Sequence, residues 1–354
     1  MNIIKIISCA LILLLQSCSS LGPYKTQVER LSYNYSLHNS ENQQLLLNIV
    51  RLRYFDNIYF LSLNNIVAQM SLATSLRANI AKIEKGPLSG FAEGDVGYQE
   101  RPTITYTPLQ GEDFVKRLLI PIDLKVVYAL LRSGWGINHV FRMVIQRINH
   151  INNAVSASRI VGSHIPHFKK FKSLSWVFYY FEERGNLDIT YGKIHGYFAI
   201  KLTFHGIDKI PASGKKLLRE LHITPQTPYI WLVAKQDNQP HHAYIETRSI
   251  LGFLNYMSKG IVVPEELIKH NQVPMTRYPN GKIFDWNQVT QGMITIRASR
   301  EHPRNTYVKV YYNGYWYYIP NNDFHSKETF ILLNIFYGFQ QGKITNDVPV
   351  FTVS

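Results

Sequence analysis

The stretch NTYVKVYYNGYWYYIP, Asn305–Pro320, decides more about the fold than any other segment of the chain. Asn313-Gly314 stands between two alternating runs, and this dipeptide is the preferred two-residue hairpin turn because both central positions need positive φ. Such a turn sets the register: Tyr312 opposite Tyr315, Tyr311 opposite Trp316, Val310 opposite Tyr317, Lys309 opposite Tyr318 and Val308 opposite Ile319. One face then gathers Val308, Val310, Tyr312, Tyr315, Tyr317 and Ile319, a set that belongs in a core. The other gathers Tyr307, Lys309, Tyr311, Trp316 and Tyr318, aromatic with one cation. DFHSKETFILLNIFYGF, from Asp323, reads next as a capped amphipathic helix able to cover either face. Left open, the Lys309, Tyr311, Trp316 and Tyr318 surface suits sugar rings, peptide or an anionic headgroup, and it is the candidate binding surface. Covered by that helix, it is core.

Upstream, short strand-like pieces recur: LDITYG from Leu187, YFAIKLTF from Tyr197, YIWLVA from Tyr229, HAYIETR from His242 and MITIRAS from Met293. The first half reads differently. ENQQLLLNIVRLRY carries a helical stripe of Leu45, Leu46, Ile49, Val50 and Leu52. From Ile58 to Ile83 a long, broken alternation fits one or two strands. KGPLSGFAEGDVGY, Lys85–Tyr98, reads as a mobile glycine-rich loop, and Thr103–Thr107 as a strand. A short helix stopped by Pro121 follows, then a second from about Asp123 to Arg132. GINHVFRMVIQRINHINN gives a third, with Val140, Met143, Val144 and Ile148 on one side and Arg142, Gln146 and Asn149 on the other. An aromatic helix runs on to Gly185. Helices early and strands late predict α+β: a helix-rich N-terminal half and an antiparallel strand-rich C-terminal half ending in the hairpin and helix. The expected organisation is a mixed helical region over 41–185 and a strand-rich region over 186–354, as two domains or one.

The 354 residues are 45% hydrophobic and 18% charged, the balance of a globular chain with a sizeable core. Enzyme signatures are missing: no G-x-S-x-G, no H-E-x-x-H, no C-x-x-C, no phosphate loop and no dinucleotide fingerprint, so no cofactor is implied. His164 and His167, and the pair His241-His242, could each be half of a metal site, but no third ligand stands at the right spacing, and no metal is expected. GEDF and FEERGNLD bring carboxylates close in sequence, which leaves a glycan or cell-wall hydrolase open as the alternative.

Both cysteines, Cys9 and Cys18, fall in the first eighteen positions. A run from Ile3 to Leu15, apolar apart from Lys5 and Ser8, is too short to span a membrane as a helix, which takes about 20 apolar residues. It reads as an export signal. Leu15-Gln16-Ser17-Cys18 resembles the lipobox of bacterial lipoproteins. That resemblance, which covers the leader alone, implies removal of residues 1–17, a diacylglycerol on Cys18, and palmitate or a similar acyl chain on its amino group. It also implies a tether over 18–40. Ser19, where inner-membrane retention signals of that class carry Asp, implies the periplasmic face of the outer membrane. Net charge is +14, and loss of Lys5 leaves +13. A surface so basic is expected to meet envelope proteins, cell wall or an anionic glycolipid, and export leaves nucleic acid only where DNA is handled at the cell surface. The expected role is non-enzymatic binding or scaffolding in the cell envelope.

Overall fold

The computed structural model describes residues 21–81, 89–159 and 164–341. The leader, Cys18 and Ser19 lie outside them. The fold is mixed α+β, with helices concentrated early and a strand hairpin followed by a helix at the C-terminal end. It divides into two compact units, Tyr59–Glu112 and the chain on either side of that segment. The larger unit joins early helices and late strands because the apolar stripe of one and the apolar faces of the other are buried together.

In the smaller unit, strand β1 (Leu61–Ala81) pairs antiparallel with β2 (Ser89–Pro108), with a register irregularity between Leu63 and Asn65. The glycine-rich stretch read as a loop is strand from Ser89 onward: Gly90 lies opposite Ile80, Gly94 opposite Leu76 and Gly97 opposite Ala73. A glycine in a strand costs about 0.5–1 kcal/mol, and the continuous ladder offered by β1 outweighs it. Lys85–Leu88 lie outside the described residues.

The larger unit opens with helix α1 (Leu21–Arg53). The segment to residue 40, expected as a tether, is helical from Leu21, continuous with the turns that pack. Leu45, Leu46, Ile49 and Val50 are buried, whereas Leu31 and Tyr35 are exposed. Buried turns nucleate the helix and propagation carries it outward, since each added residue gains a bond without a new nucleus.

Helices α2 (Glu112–Leu119) and α3 (Leu124–Arg132) follow, α3 starting at Asp123, whose carboxylate accepts from the Lys125 amide at 2.8 Å. Helix α4 (Ile137–Val144) is shorter than the periodicity predicted. At Ile145 the chain becomes strand β3 (Ile145–Ile148), followed by β4 (Ile151–Asn152). The cause is two distant polar side chains that take the terminal carbonyls of the helix. Arg248 Nη1 donates to the carbonyls of Arg142, Met143 and Ile145 at 2.9 to 3.1 Å, and Asn153 Nδ2 donates to those of Arg142 and Ile145. Arg248 is 1% exposed, and burial holds its pKa down at about 10. Arg142, expected on a polar face, is buried as well.

Helix α5 (Lys169–Glu182) leads into β5 (Leu187–Ile194), β6 (Tyr197–Phe204), helix α6 (Ala212–Arg219), β7 (Tyr229–Val233) and β8 (His242–Thr247). These make a six-stranded sheet in the order β4-β3-β8-β7-β6-β5, antiparallel except between β7 and β8. Helix α7 (Ile250–Ser258) and the short α8 (Glu265–Lys269) and α9 (Asn287–Thr290) precede a second sheet. There β9 (Arg297–Ser299) lies beside the hairpin of β10 (Thr306–Tyr312) and β11 (Tyr315–Pro320). MITIRAS is strand only in its last three residues. The hairpin has the expected register at all five pairs, with Asn313 at φ 47° and Gly314 at φ 81°. Helix α10 (Phe324–Gln341) closes the described chain. Tyr54, just after α1, packs on the core face of the hairpin, its hydroxyl bonded to that of Tyr317 and its ring 5.6 Å from Tyr312. Burial, together with the Tyr54 hydrogen bond, pushes the Tyr317 phenol well above its ordinary pKa.

Candidate binding face

The hairpin surface proposed from sequence comes together but is only partly open. Tyr311 is exposed, and Lys309, Trp316 and Tyr318 are half-buried. The cover is the loop after β9: the His302 ring meets Trp316 edge-on at 4.6 Å, and Lys309 Nζ donates to the Pro303 carbonyl at 3.1 Å. Helix α10 meets the hairpin elsewhere, through Phe330 and the Tyr307 ring. A register irregularity between Thr306 and Val308 leaves Tyr307 unpaired, and its hydroxyl bonds Asn42 of α1. Tyr307 therefore leaves the surface to which alternation had assigned it.

A wider aromatic and cationic face lies on the six-stranded sheet. Strand alternation sends Ile200, Leu202, Phe204, Ile230, Leu232, Ala243 and Ile245 to one side, where all are buried among Phe141, Phe178 and Phe181 of the helices. The paired positions of the other side carry Thr190, Lys201, Trp231 and His242 in one row, and Tyr229, Tyr244, Arg147 and Glu246 in neighbouring ones. These are half-exposed or exposed. Lys201 Nζ stands 4.5 Å from the centre of the Tyr229 ring and 5.6 Å from that of Trp231. Arg147 lies 5.8 Å over Tyr244 and pairs with Glu246 at 2.6 Å. These contacts set two cations beside flat aromatic faces.

At the edge of this face is an open cleft of about 860 Å³, lined by Arg147, Asn149, His150, His222, Asp237, His241 and His242 among others. Asn149, His222, Asn238 and His241 all have positive φ, and all four line the cleft. Asn and His are among the non-glycine residues that enter this region most readily. Asp237 holds His242 Nδ1 at 2.7 Å and lies 3.6 Å from His195 Nε2. Burial raises the Asp237 pKa, but the His242 hydrogen bond and the Gln239 amide outweigh it, and the carboxyl sits below its usual range. His241 packs against Tyr229 at 5.5 Å instead of joining His242. Among the described residues, no group of three or more His, Cys, Asp and Glu is placed to hold a metal ion.

A second cleft, of about 600 Å³, lies between α4, α5 and α10. Its floor is His139, 7% exposed, whose Nε2 is 3.1 Å from Thr329 Oγ1 and whose Nδ1 is 3.6 Å from Glu328. The order Glu, His, Thr imitates a nucleophilic triad, but the chemistry differs. The Thr329 hydroxyl donates to the Met293 carbonyl at 2.6 Å, so His139 Nε2 must carry a proton and donate to Thr329. An imidazole in that tautomer cannot take the hydroxyl proton. Burial, then the charges of Arg142 and His325, lower the His139 pKa to about 4. Glu182, whose pKa burial raises, caps α4 by accepting from the Ile137 amide at 2.8 Å.

The sheet-face residues had a signal in the sequence. Tyr197, Lys201 and Thr203, then Tyr229 and Trp231, then His242, Tyr244 and Glu246 occupy alternate positions of their strands, and alternation identifies a shared side once the pairing is known. No family model, no curated protein and no solved structure matches this chain.

Proposed function

We propose that this is a lipid-anchored protein of the bacterial cell envelope, held through Cys18 at the periplasmic face of the outer membrane, with a non-enzymatic binding role. The observation that carries the binding role is the half-exposed cluster of Lys201, Tyr229, Trp231, Tyr244 and Arg147 on one side of the six-stranded sheet. Flat rings with cations above them fit a glycan or glycolipid bearing anionic groups, because sugar rings stack on aromatic faces and phosphate or carboxylate substituents pair with the cations. The anchor reading rests on Leu15-Gln16-Ser17-Cys18, and the basic balance of the chain agrees with an anionic surface as partner.

A photo-crosslinking amino acid placed at Trp231 in intact cells tests the binding role. Adducts with envelope glycan or anionic glycolipid are expected, in excess of those from the same probe at Ile331, an exposed position on α10. Equal yields at the two positions would sink the reading.

The hydrolase alternative draws on Glu182, Glu183 and Glu328, whose charges all act on Tyr179 in the second cleft. Of these, Glu182 is committed to capping α4. Glu328→Gln separates the readings, since a hydrolase would lose turnover of cell wall and a binder would keep its partner.

A further inference from the structure

Away from the sheet face, the larger unit buries two cations side by side. Arg53, in the last turn of α1, is 4% exposed, and Lys259, directly after α7, is 8% exposed. Both line one pocket of about 290 Å³, with Ile261, Met275, Phe284 and Trp286 among its apolar walls. Arg53 Nη1 donates to the Pro274 carbonyl at 2.7 Å and Nη2 contacts Met275 Sδ at 3.1 Å, while its Nε has no acceptor. Among the described residues the Lys259 ammonium meets the Trp286 ring, 5.7 Å away, and no carboxylate. Asp285, on the same pocket, accepts from the Asn287 amide at 2.9 Å and forms no ion pair with either cation among the described residues. Among the described residues no carboxylate forms an ion pair with Arg53 or Lys259, and no Asp or Glu is among the charges that act on either, Arg53 feeling only the Tyr54 and Tyr317 phenols and Lys259 only Arg53.

Buried charges are ordinarily paired, and a lysine placed beside an arginine without an acid is the reverse of what folding alone selects. The helix C-termini that carry the two residues offset part of this charge. What remains is a site for an anion. We propose that this pocket binds a phosphate monoester, the Lys259 ammonium donating to a phosphoryl oxygen, Arg53 supplying the second positive charge, and the apolar walls receiving the ester substituent. A phosphate monoester carries close to two negative charges at neutral pH and so balances both cations, whereas a carboxylate balances one. The pocket lies at the small end of the ligand-site range, which suits a phosphoryl group with a short buried portion. Burial, then the Arg53 charge, lowers the Lys259 pKa to about 8, the response of an ammonium lacking its counter-ion. Nothing in this site depends on the sheet-face reading.

Calorimetric titration of the full-length protein in mild detergent at pH 7 tests the proposal, using inorganic phosphate, butyl phosphate and butyrate at matched ionic strength. Saturable binding of at least one phosphate compound is expected, with Lys259→Met weakening it by about tenfold or more. Butyl phosphate is expected to bind more tightly than inorganic phosphate, and equal binding of the two would overturn the assignment of the apolar walls to an ester substituent. Val262→Trp, at an exposed position of the pocket lining, should block binding without touching either cation, and covers the case in which Lys259→Met fails to fold. No binding of either phosphate, binding of butyrate as tight as that of butyl phosphate, or undiminished binding in a folded Lys259→Met or Val262→Trp variant would overturn it.

Discussion

Trp231 lies so close against Gly192 that a Cβ on that glycine would stand 2.8 Å from Trp231 Cη2. The two residues sit on β7 and β5, with β6 between them, so the indole reaches across a neighbouring strand and rests on the gap the glycine leaves. The missing side chain makes room for a flat ring on the open side of the sheet. Gly192→Val is a favourable strand residue by propensity, yet it must lift the indole. We expect stability to change by no more than about 1 kcal/mol, because the displaced ring is half-exposed, while crosslinking from the sheet face falls. Thermal unfolding reports the first effect and crosslinking yield the second, with near-UV circular dichroism showing the displaced indole.

Trp316 on the hairpin is half-buried, between full exposure and burial beneath a helix. Its contacts are the His302 ring at 4.6 Å and Tyr311 at 5.2 Å. Full burial would make truncation cost about 3–5 kcal/mol. Trp316→Ala is expected to cost about 2 kcal/mol, in proportion to the area covered, and His302→Ala about 1. A denaturant midpoint unchanged in Trp316→Ala would show that the loop after β9 gives no cover in solution.

Arg248 is irreplaceable by another cation. Its five recorded hydrogen bonds go to Ser158 Oγ and to the carbonyls of Arg142, Met143, Ile145 and Asn153, and its guanidinium lies 4.5 Å over Tyr256. A lysine ammonium cannot span those directions. Arg248→Lys should lose about 3–5 kcal/mol by leaving buried carbonyls bare. Chemical denaturation would detect it, and a loss under about 1 kcal/mol would mean the α4 to β3 junction is held otherwise.

Acid should weaken the fold through His139. Its folded pKa, about 4, is below the ordinary 6.5. Such a group gives full stability above the unfolded pKa and loses it as pH falls toward the folded one. Between pH 6.5 and 4 the loss approaches about 3 kcal/mol, with roughly 2 already gone at pH 5. Glu328 and Glu182, raised by burial, act in the opposite sense over the acid range. The difference between wild type and His139→Gln isolates the histidine, and the variant should show a flatter stability profile from pH 7 to 5.

Anchoring is tested at Cys18. Labelled palmitate should enter the wild type and not Cys18→Ala, and Ser19→Asp should move the protein toward inner-membrane fractions on a density gradient. Label in the alanine variant would remove the lipobox reading.

Local chemistry was enough wherever one short stretch contained its own partner. Asn313-Gly314 supplies the two positive φ values that a tight turn needs, and the register of ten neighbouring residues follows from it. The Leu45 to Leu52 stripe and the Asp123 cap likewise define their helix ends from within a few residues. Tertiary structure decided the rest, because there the deciding group stands far off in sequence. Arg248 halts a helix that ends at Val144 and turns its continuation into a strand, although periodicity carries on unbroken. Gly90 and Gly97 are strand because β1 offers them a ladder. Lys201, Trp231 and Tyr244 share a face only once three strands align, and Arg53 meets Lys259 across some two hundred residues. Periodicity shows which way a side chain points along its own element. Which charges end up buried together is settled by packing between elements.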